Sequence, residues 1–418
     1  MAQARYDVAI VGAGIVGAAC AFSLSTAGMS VVLIDRGDRQ AAASWGNAGH
    51  FAYGEVFPLA TPGLWTQLPR MLLSRKSPLR IAPSGLWITL PWLARFMFNT
   101  RPAQVRRAAA ALASLLGPSR DSWHRLAEAS GVSHLIRTGP VLVVARSRAA
   151  MDSRRPFVDA IRRYGIAVDE LDTPAARAIE PTLRSTIVGA FAYPDAQYCV
   201  DPGALTRRLT EASVAAGASV ARDDIGRIVP ASGEIVALGS SERRYVARQC
   251  VVAAGIRSRA LLKGLQIRVP LAAERGYHLM VPYRAGMPHP RVPIIGARPE
   301  FVITPMSEGL RLAGTVELAS PDSPPAWARA VMLKELAEEL VGPLEVPEDA
   351  PRWMGNRPTL PDSLPAIGRL RSAQSIIAAF GHQHLGLTLA AITADMVRAI
   401  ALGQPPPVPL QPFALERF

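Results

Sequence analysis

The chain begins with a segment that only a narrow set of folds can accommodate: an apolar run, a glycine-rich turn, a helical stretch and a second apolar run ending in an acid. The run at 8–11 has the length of a buried parallel strand. Glycines then follow at the G-x-G-x-x-G spacing, at Gly12, Gly14 and Gly17. The pattern continues with a predicted helix over 15–27 and a predicted strand over 30–34. This order predicts a complete βαβ unit.

The glycine spacing has a physical reason that points to a dinucleotide. The first glycine permits a tight turn, the second lets the backbone approach a pyrophosphate, and the third lets the helix pack against the strand. The helix N-terminus then favours the negative pyrophosphate. Asp35 ends the second strand, where its carboxylate can accept hydrogen bonds from ribose hydroxyls. The same charge argues against NADP, and the motif leaves NAD and FAD open.

Length and composition narrow the protein class. A chain of 418 residues that is 49% hydrophobic and 19% charged suits two domains, or one domain with a large insertion. The formal net charge is +13, but the arginines are dispersed and no aromatic-basic motif accompanies them, which argues against a nucleic-acid surface. Compositional bias explains the charge most simply. Attraction of an anionic substrate and a face held against anionic lipid stay open.

The cysteines and the apolar runs predict the redox compartment of the protein and its relation to membranes. Three scattered cysteines, Cys20, Cys199 and Cys250, are too few for a disulfide framework or a metal cluster, so we expect a reduced cytosolic setting. Neither a signal peptide nor an apolar run of transmembrane length is recognisable, so we expect a soluble or peripheral protein.

An aromatic-rich stretch over 85–98 has two interpretations. As an interfacial element it would present its aromatic side chains to lipid, with arginines nearby for headgroups: Trp87, Trp92, Phe96 and Phe98, then Arg95, Arg101, Arg106 and Arg107. As core it would pack inside the second domain. Core is favoured, because exposed aromatic side chains are the costlier arrangement.

The rest of the chain alternates predicted helices with predicted strands. Helices are predicted over 102–116, 119–130, 151–164, 202–216, 327–341 and 389–401, and strands over 140–145, 218–222, 225–229, 249–255, 270–282, 301–304, 310–314 and 376–380. The proline-rich C-terminal tail has no predicted fold.

Seven motifs together resemble one family, the D-amino-acid oxidase and D-amino-acid dehydrogenase class of FAD enzymes, nearly end to end. They are GAGIVG with Asp35, SWGNAGH, DPGAL followed by GASV, VVAAG, the RGY segment, RPTLPD and the terminal GHQHLGLT. Among subgroups, GNAGH followed by EVFPLATP most resembles bacterial D-amino-acid dehydrogenases, including those that act on D-hydroxyproline.

The resemblance implies an α/β fold class: a Rossmann-like FAD-binding domain and an α+β substrate-binding domain on an antiparallel or mixed sheet. The implied FAD-binding domain comprises 1–82, 196–265 and 352–418, and the substrate-binding domain comprises 83–195 and 266–351. No cysteine follows Cys250, so a thioether-linked flavin through the C-terminal region is not available. We therefore expect dissociable, non-covalent FAD.

The resemblance also assigns cofactor-binding residues. Gly12, Ala13, Gly14, Ile15 and Gly17 would hold the pyrophosphate, and Asp35 the ribose, with Arg36 beside it. Ser44, Gly46, Asn47, Ala48 and Gly49 match the loop that passes the phosphate and the flavin. The backbone of Ile225 would meet the adenine, and Ala254 and Gly255 would close the site. The terminal segment, where a helix N-terminus can stabilise a reduced, anionic flavin, matches Gly381, His382, Gln383, His384, Leu385, Gly386 and Thr388.

The implied reaction is oxidation of a D-amino acid at Cα: hydride leaves to flavin N5 and the imine hydrolyses. The flavin carries the hard chemistry, so no nucleophile or general-base cluster is needed. Arg357 matches the family's carboxylate-binding arginine, although an arginine in a loop also commonly braces structure. The Tyr277 hydroxyl could reach the same carboxylate, or the ring could simply pack. His50 and Glu55 could read a ring nitrogen or hydroxyl of a cyclic substrate, D-proline or cis-4-hydroxy-D-proline.

Several alternatives concern metal, acceptor and location. His382 and His384 form an H-x-H pair without an acidic cluster, so no metal is expected. The aromatic stretch and the positive charge mildly favour a quinone or respiratory acceptor over oxygen, with a cytoplasmic protein or one peripheral on the inner face of the cytoplasmic membrane. A flavin-binding electron-transfer subunit without its own turnover is a further alternative. An NAD dehydrogenase is disfavoured, because it has no use for the terminal GHQHLGLT segment.

Overall fold

The predicted βαβ unit forms the centre of the first of two sheets. In a computed structural model, which describes residues 4–38, 42–62, 79–81, 86–231 and 234–418, the unit consists of β1 (Arg5–Val11), α1 (Ile15–Thr26) and β2 (Val31–Asp35). The two strands are parallel. Every residue of α1 up to Ser25 is buried, so the helix is apolar on all sides because core surrounds it.

The first sheet extends on both sides of β1. Its order is β17-β18-β11-β1-β2-β8, and a β9–β10 hairpin pairs with β11. The strands next to β1 are parallel to it, so their carboxyl ends share one edge, where α/β sheets bind nucleotides. The additional strands are β8 (Ser219–Arg222), β9 (Ile225–Ala231), β10 (Glu234–Gly239), β11 (Arg244–Val252), β17 (Ala366–Leu370) and β18 (Ala373–Phe380).

The second sheet is mixed and has the order β16-β12-β15-β14-β13-β5-β7-β3, with β4 paired to β15 and β6 to β7. Its strands are β3 (His50–Phe51), β4 (Leu79–Ile81), β5 (Ile136–Ala145), β6 (Asp169–Leu171), β7 (Gly189–Cys199), β12 (Ala272–Pro282), β13 (Ile294–Ala297), β14 (Glu300–Met306), β15 (Gly309–Leu318) and β16 (Arg352–Thr359). β16 falls in the stretch that the sequence assigned to the FAD-binding domain. The boundary predicted at 82–83 lies outside the described residues.

Helices cover both sheets. They are α2 (Leu86–Phe98), α3 (Pro102–Ala129), α4 (Arg148–Arg162), α5 (Thr173–Ile179), α6 (Pro202–Ala215), α7 (Ser258–Lys263), α8 (Ala328–Val341) and α9 (Gly386–Ala401). The two helices predicted over 102–130 are one helix, α3, which continues through Pro118. Among the described residues, one helical segment, Gln383–Ala401, is long and apolar enough to cross a membrane, and it is mostly buried in this fold.

The aromatic stretch contributes a small core of its own. Trp92 and Phe96 of α2 are buried with Ala60, Ala272 and Leu318, and Trp92 Nε1 donates to the carbonyl oxygen of Thr359 at 3.0 Å. Phe98 and Leu90 are exposed at 47% and 43%, so one side of the helix faces solvent. The side chain of Trp87 lies outside the described part of the chain.

The C-terminal tail packs onto the fold, although no structure was predicted for it. Val408, Phe413 and Leu415 are buried. Arg417 Nε donates to Asp362 Oδ2 at 2.6 Å. These contacts fasten the tail close to the loop that precedes β17.

Candidate functional site

The turn after β1 accepts only glycine at its key positions. Gly12 has φ +105°, and a Cβ there would lie 2.5 Å from the Ala253 carbonyl oxygen. A Cβ on Gly17 would overlap the carbonyl oxygen of Gly12, and one on Gly14 would lie 3.0 Å from Ser44 Oγ. The turn therefore presents bare backbone and the first amides of α1 at the carboxyl edge of the sheet, where a pyrophosphate fits.

Asp35 and Ser44 stand at this turn. Asp35 Oδ2 accepts a hydrogen bond from the Ala13 amide at 2.8 Å, and Oδ1 accepts one from the Gly37 amide at 2.7 Å. Ser44 Oγ accepts one from the Ile15 amide at 2.9 Å. These bonds fix both side chains beside the helix N-terminus. Arg36 instead pairs with Asp38 at 3.1 Å on the surface.

The remaining predicted nucleotide residues lie at the same edge of the first sheet. Ala254 and Gly255 follow directly after β11, whose neighbour is β1, and the Ala253 amide donates to the Val11 carbonyl oxygen at 2.9 Å. Ile225 is buried where β9 begins. The structure therefore brings Ala254 and Gly255 next to the glycine turn.

The loop over 44–49 connects the two sheets through its backbone carbonyl groups. Asn47 shapes the loop, since its Oδ1 accepts from the Gly49 amide at 2.8 Å and its Nδ2 donates to the Ser44 carbonyl oxygen at 2.9 Å. The carbonyl oxygens of four successive residues then meet groups of the second sheet: Gly46 and His278 Nδ1 (2.8 Å), Asn47 and Arg311 Nη1 (2.7 Å), Ala48 and Thr304 Oγ1 (2.7 Å), and Gly49 and the Cys199 amide (2.6 Å).

Trp353 supports this loop from β16. Its ring stacks on His278 with centroids 5.1 Å apart, and it occupies the space that a Cβ on Gly46 or Gly355 would need. Burial lowers the pKa of His278 to about 3, so the ring is neutral. Sequence reasoning missed His278, Trp353, Thr304 and Arg311, because no motif marks a side chain that contacts the backbone of a distant loop.

The C-terminal segment packs against β16 and against Ala52, which directly follows β3. Gly381 has φ +85°, and His382 forms an isolated bridge with Thr359. His382 Nε2 lies 3.0 Å from Thr393 Oγ1, and burial lowers its pKa to about 3. Gln383 Nε2 donates to the Ser363 carbonyl oxygen at 2.7 Å. Thr388 Oγ1 accepts from the Ala52 amide at 2.9 Å, which connects α9 to β3.

Arg357 of β16 lies in a cleft together with Glu274, Gly276 and His384. Its Nη1 donates to the Thr315 carbonyl oxygen at 3.3 Å and lies 3.9 Å from Glu274 Oε1. A Cβ on Gly276 would overlap the guanidinium group, so β12 can carry no side chain at this position. Burial lowers the pKa of Arg357, and the nearby Glu274 partly opposes the shift. A half-buried guanidinium paired this loosely can bind a carboxylate.

Two neutral histidines accompany Arg357. His384 lies at the exposed surface of the cleft. Desolvation within the cleft, then the charges of Arg357 and His50, lower its pKa to about 4. Burial lowers the pKa of His50 to about 4, and its Nδ1 is buried with no hydrogen-bond partner in the described part of the chain. At neutral pH the guanidinium is therefore the only positive charge among these three groups.

Tyr277 does not join this group. The register pairs Glu274 with Arg357 and His278 with Trp353, and the second pair contacts Gly46 of the loop over 44–49. The Tyr277 ring instead packs edge-on against Trp327 beside α8. Its hydroxyl donates to Glu317 Oε2 at 2.5 Å and accepts from the Ala326 amide at 3.0 Å. The side chain is buried and its hydroxyl is satisfied on the opposite face of the sheet.

A cavity of about 400 Å³ adjoins the cleft at His50. Glu55 also lines it, with Arg154 and Tyr193, which the sequence did not single out. Glu55 Oε1 lies 4.0 Å from Arg154 Nη2, and burial raises the pKa of Glu55 while Arg154 opposes that shift. His50 and Glu55 are therefore brought to one cavity.

The residues fit a flavin dinucleotide. The glycine turn provides a cradle for a pyrophosphate that a Cβ would fill, and Asp35 lies where a ribose would be held. Near the cleft, Gln383 Oε1 and His50 Nδ1 are buried polar atoms without partners among the described residues, which a bound ligand would satisfy. Residues 1–3, 39–41, 63–78, 82–85 and 232–233 aside, the chain has no cluster of three His, Cys, Asp or Glu side chains that could hold a metal.

Comparisons with known proteins cover nearly the whole chain. The family model "DAO: FAD dependent oxidoreductase" matches residues 7–400. A D-amino-acid oxidase of Bradyrhizobium diazoefficiens is 35% identical over 426 residues, with 100% of both chains covered. D-amino acid dehydrogenase 1 of Mesorhizobium japonicum is 26% identical over 420 residues, with 99% of both covered.

A solved structure, glycine oxidase from Geobacillus kaustophilus, matches with a TM-score of 0.76 at 23% identity and covers 99% of both chains. L-proline dehydrogenase from P. horikoshii matches with a TM-score of 0.73 at 15% identity, covering 100% of this chain and 98% of that one. The similarity concerns the fold, and it confirms the α/β class predicted from the sequence.

Proposed function

Since the chain belongs to the DAO family of FAD-dependent oxidoreductases, we propose that it oxidises D-amino acids at Cα to the imine, which water then hydrolyses. FAD is the family's cofactor. The full-length relatives named D-amino-acid oxidase and D-amino acid dehydrogenase support this substrate class. The observation that carries the proposal is Arg357, a half-buried guanidinium whose nearest carboxylate, Glu274, is 3.9 Å away and whose charge acts on His384 of the C-terminal segment.

The chain's own residues would bind and orient the substrate. Arg357 would take the α-carboxylate in a bidentate pair, with Gly276 leaving room beside it. FAD, held by the glycine turn, Asp35, the loop over 44–49 and the C-terminal segment, would accept the hydride that leaves Cα. His50 and His384 are neutral at physiological pH, so neither repels a substrate amine. Positioning of this kind is the protein's main contribution in flavin catalysis.

The narrower candidates are D-proline and cis-4-hydroxy-D-proline. Their support is the GNAGH motif followed by the EVFPLATP motif. Anaerobic absorbance scans with a panel of D- and L-amino acids test both the D-amino-acid class and the narrower candidates. Bleaching of the oxidised flavin band by D- but not L-enantiomers is expected, and bleaching by L-enantiomers alone would contradict it.

For the electron acceptor we propose a quinone, with the protein cytoplasmic or attached to the inner face of the cytoplasmic membrane. Exposed Leu90 and Phe98 on α2 support an attachment surface, and relatives named dehydrogenases support the acceptor class. Oxygen is the second candidate, because the relative with 35% identity is named an oxidase. Purified enzyme should reduce a soluble quinone analogue much faster than oxygen. Peroxide release at a comparable rate would establish the oxidase alternative instead.

A further inference from the structure

The cavity of about 400 Å³ next to His50 lies between α3, α4 and strands β5 and β7. His50 lines it and directly follows the loop over 44–49, and Ala52, which also lines it, donates its amide to Thr388 Oγ1 of the C-terminal segment at 2.9 Å. The cavity therefore adjoins the two segments that would hold the flavin. Its volume is in the range of small-molecule sites.

The charges around the cavity do not balance. Arg154 Nη1 donates to Glu300 Oε1 at 2.8 Å, whereas Arg154 Nη2 is 4.0 Å from Glu55 Oε1. Two carboxylates thus share one guanidinium, and the closer one lies outside the cavity. The Glu55 side chain is 39% exposed, and no donor in the described part of the chain forms a hydrogen bond with its carboxylate. At the mouth, exposed Arg120 and Asp121 carry opposite charges.

Aromatic rings form part of the cavity wall, at Phe51, Tyr53, Tyr164 and Tyr193. Their faces already attract cations here, since the Arg120 guanidinium lies 5.1 Å from the centroid of the Tyr53 ring. Cations gain energy over such faces, and more so in a desolvated site. A carboxylate whose one ion-pair partner is a shared guanidinium 4.0 Å away, set among aromatic rings, is therefore an environment that a cationic group would complete.

We propose that this cavity binds the substrate's side chain, and that Glu55 selects side chains that end in a cation, such as those of D-arginine and D-lysine. The inference rests on the proposed function and narrows its substrate class. A proline ring carries no cationic group beyond its own amine, so D-proline would leave the Glu55 carboxylate with only its 4.0 Å contact to Arg154. A side chain ending in a guanidinium or ammonium group would supply both the charge and the hydrogen-bond donors.

The test compares D-arginine with D-citrulline, which has almost the same shape but no charge. We expect wild-type kcat/KM with a dye acceptor to be at least about tenfold higher for D-arginine, the value of one hydrogen bond between charged groups. In Glu55→Gln the ratio should fall toward one. Glu128→Gln, which removes the same charge from an exposed position on α3, should leave the ratio at its wild-type value.

The outcomes separate this inference from the proposed function. Equal wild-type kcat/KM for D-arginine and D-citrulline, or a best substrate of cis-4-hydroxy-D-proline, would overturn the selection by Glu55 while leaving D-amino-acid oxidation intact. The wild-type comparison decides this point even if the Glu55 variant fails to fold. A flavin that no D-amino acid reduces would instead refute the proposed function itself.

Discussion

Replacement of Arg357 by alanine should remove most substrate affinity and leave FAD bound. The guanidinium is desolvated, and its nearest protein groups are a carbonyl oxygen at 3.3 Å and a carboxylate at 3.9 Å, so it retains capacity for a substrate carboxylate. Hydrogen bonds between charged groups contribute about 1.5–3 kcal/mol each. A bidentate pair is then worth about 3–6 kcal/mol, which corresponds to a loss of about 10²–10⁴-fold in kcat/KM.

The assay is anaerobic stopped-flow reduction of the flavin over a range of substrate concentrations, with the FAD content of each variant measured from its absorbance spectrum. Arg357→Lys should lie between wild type and alanine, because an ammonium group keeps the charge but cannot form the bidentate pair. Arg371→Ala, at an exposed position, serves as the matched control. An Arg357→Ala enzyme that binds FAD and retains kcat/KM within about threefold of wild type would refute the carboxylate role.

Three further predictions follow from the geometry. Gly17→Ala should purify without flavin, measured as the ratio of flavin to protein absorbance, because the new Cβ would overlap the Gly12 carbonyl oxygen; a normal flavin content would contradict the assigned cradle. Folding should lose stability as the pH falls from 7 toward 5, since burial lowers the pKa of His278 and His382 to about 3 and the unfolded chain takes up those protons first near its ordinary pKa. At pH 5 the free energy of unfolding, measured with urea, should be lower by at most about 2 kcal/mol per histidine. A urea midpoint that does not change with pH would contradict this prediction. Trp92→Ala should cost about 3–5 kcal/mol, whereas exposed Phe98→Ala should change stability by about 0.5 kcal/mol or less; equal melting temperatures for the two variants would argue against the buried core around α2.

Those parts of the site that depend on local backbone chemistry were predictable from the sequence. The turn at Gly12 and the acid at Asp35 lie within one βαβ unit, so spacing alone relates them. The RPTLPD motif identified Arg357 as a candidate residue, and in the structure it lies in the cleft beside Glu274 and Gly276.

Side-chain direction on the second sheet was not predictable in the same way. β12 pairs with β16 in unbroken register from Ala272 to Leu279, so Tyr277 and His278 take opposite faces of the sheet. The alternation does not tell which of the two faces meets the loop over 44–49. The face that meets the loop over 44–49 carries His278. The partner of its Nδ1 is the carbonyl oxygen of Gly46, 232 positions away in sequence. The cavity containing Arg154 likewise depends on how α4 packs against distant strands, which no local pattern encodes.

The measurement that tests the central claim most directly is an anaerobic titration of the purified protein, followed by its flavin absorbance, with matched D- and L-amino acids. The account predicts a yellow protein whose oxidised flavin band is bleached by at least one D-amino acid and not by its L-enantiomer. A protein that binds FAD but is bleached by no D-amino acid would contradict the proposed activity.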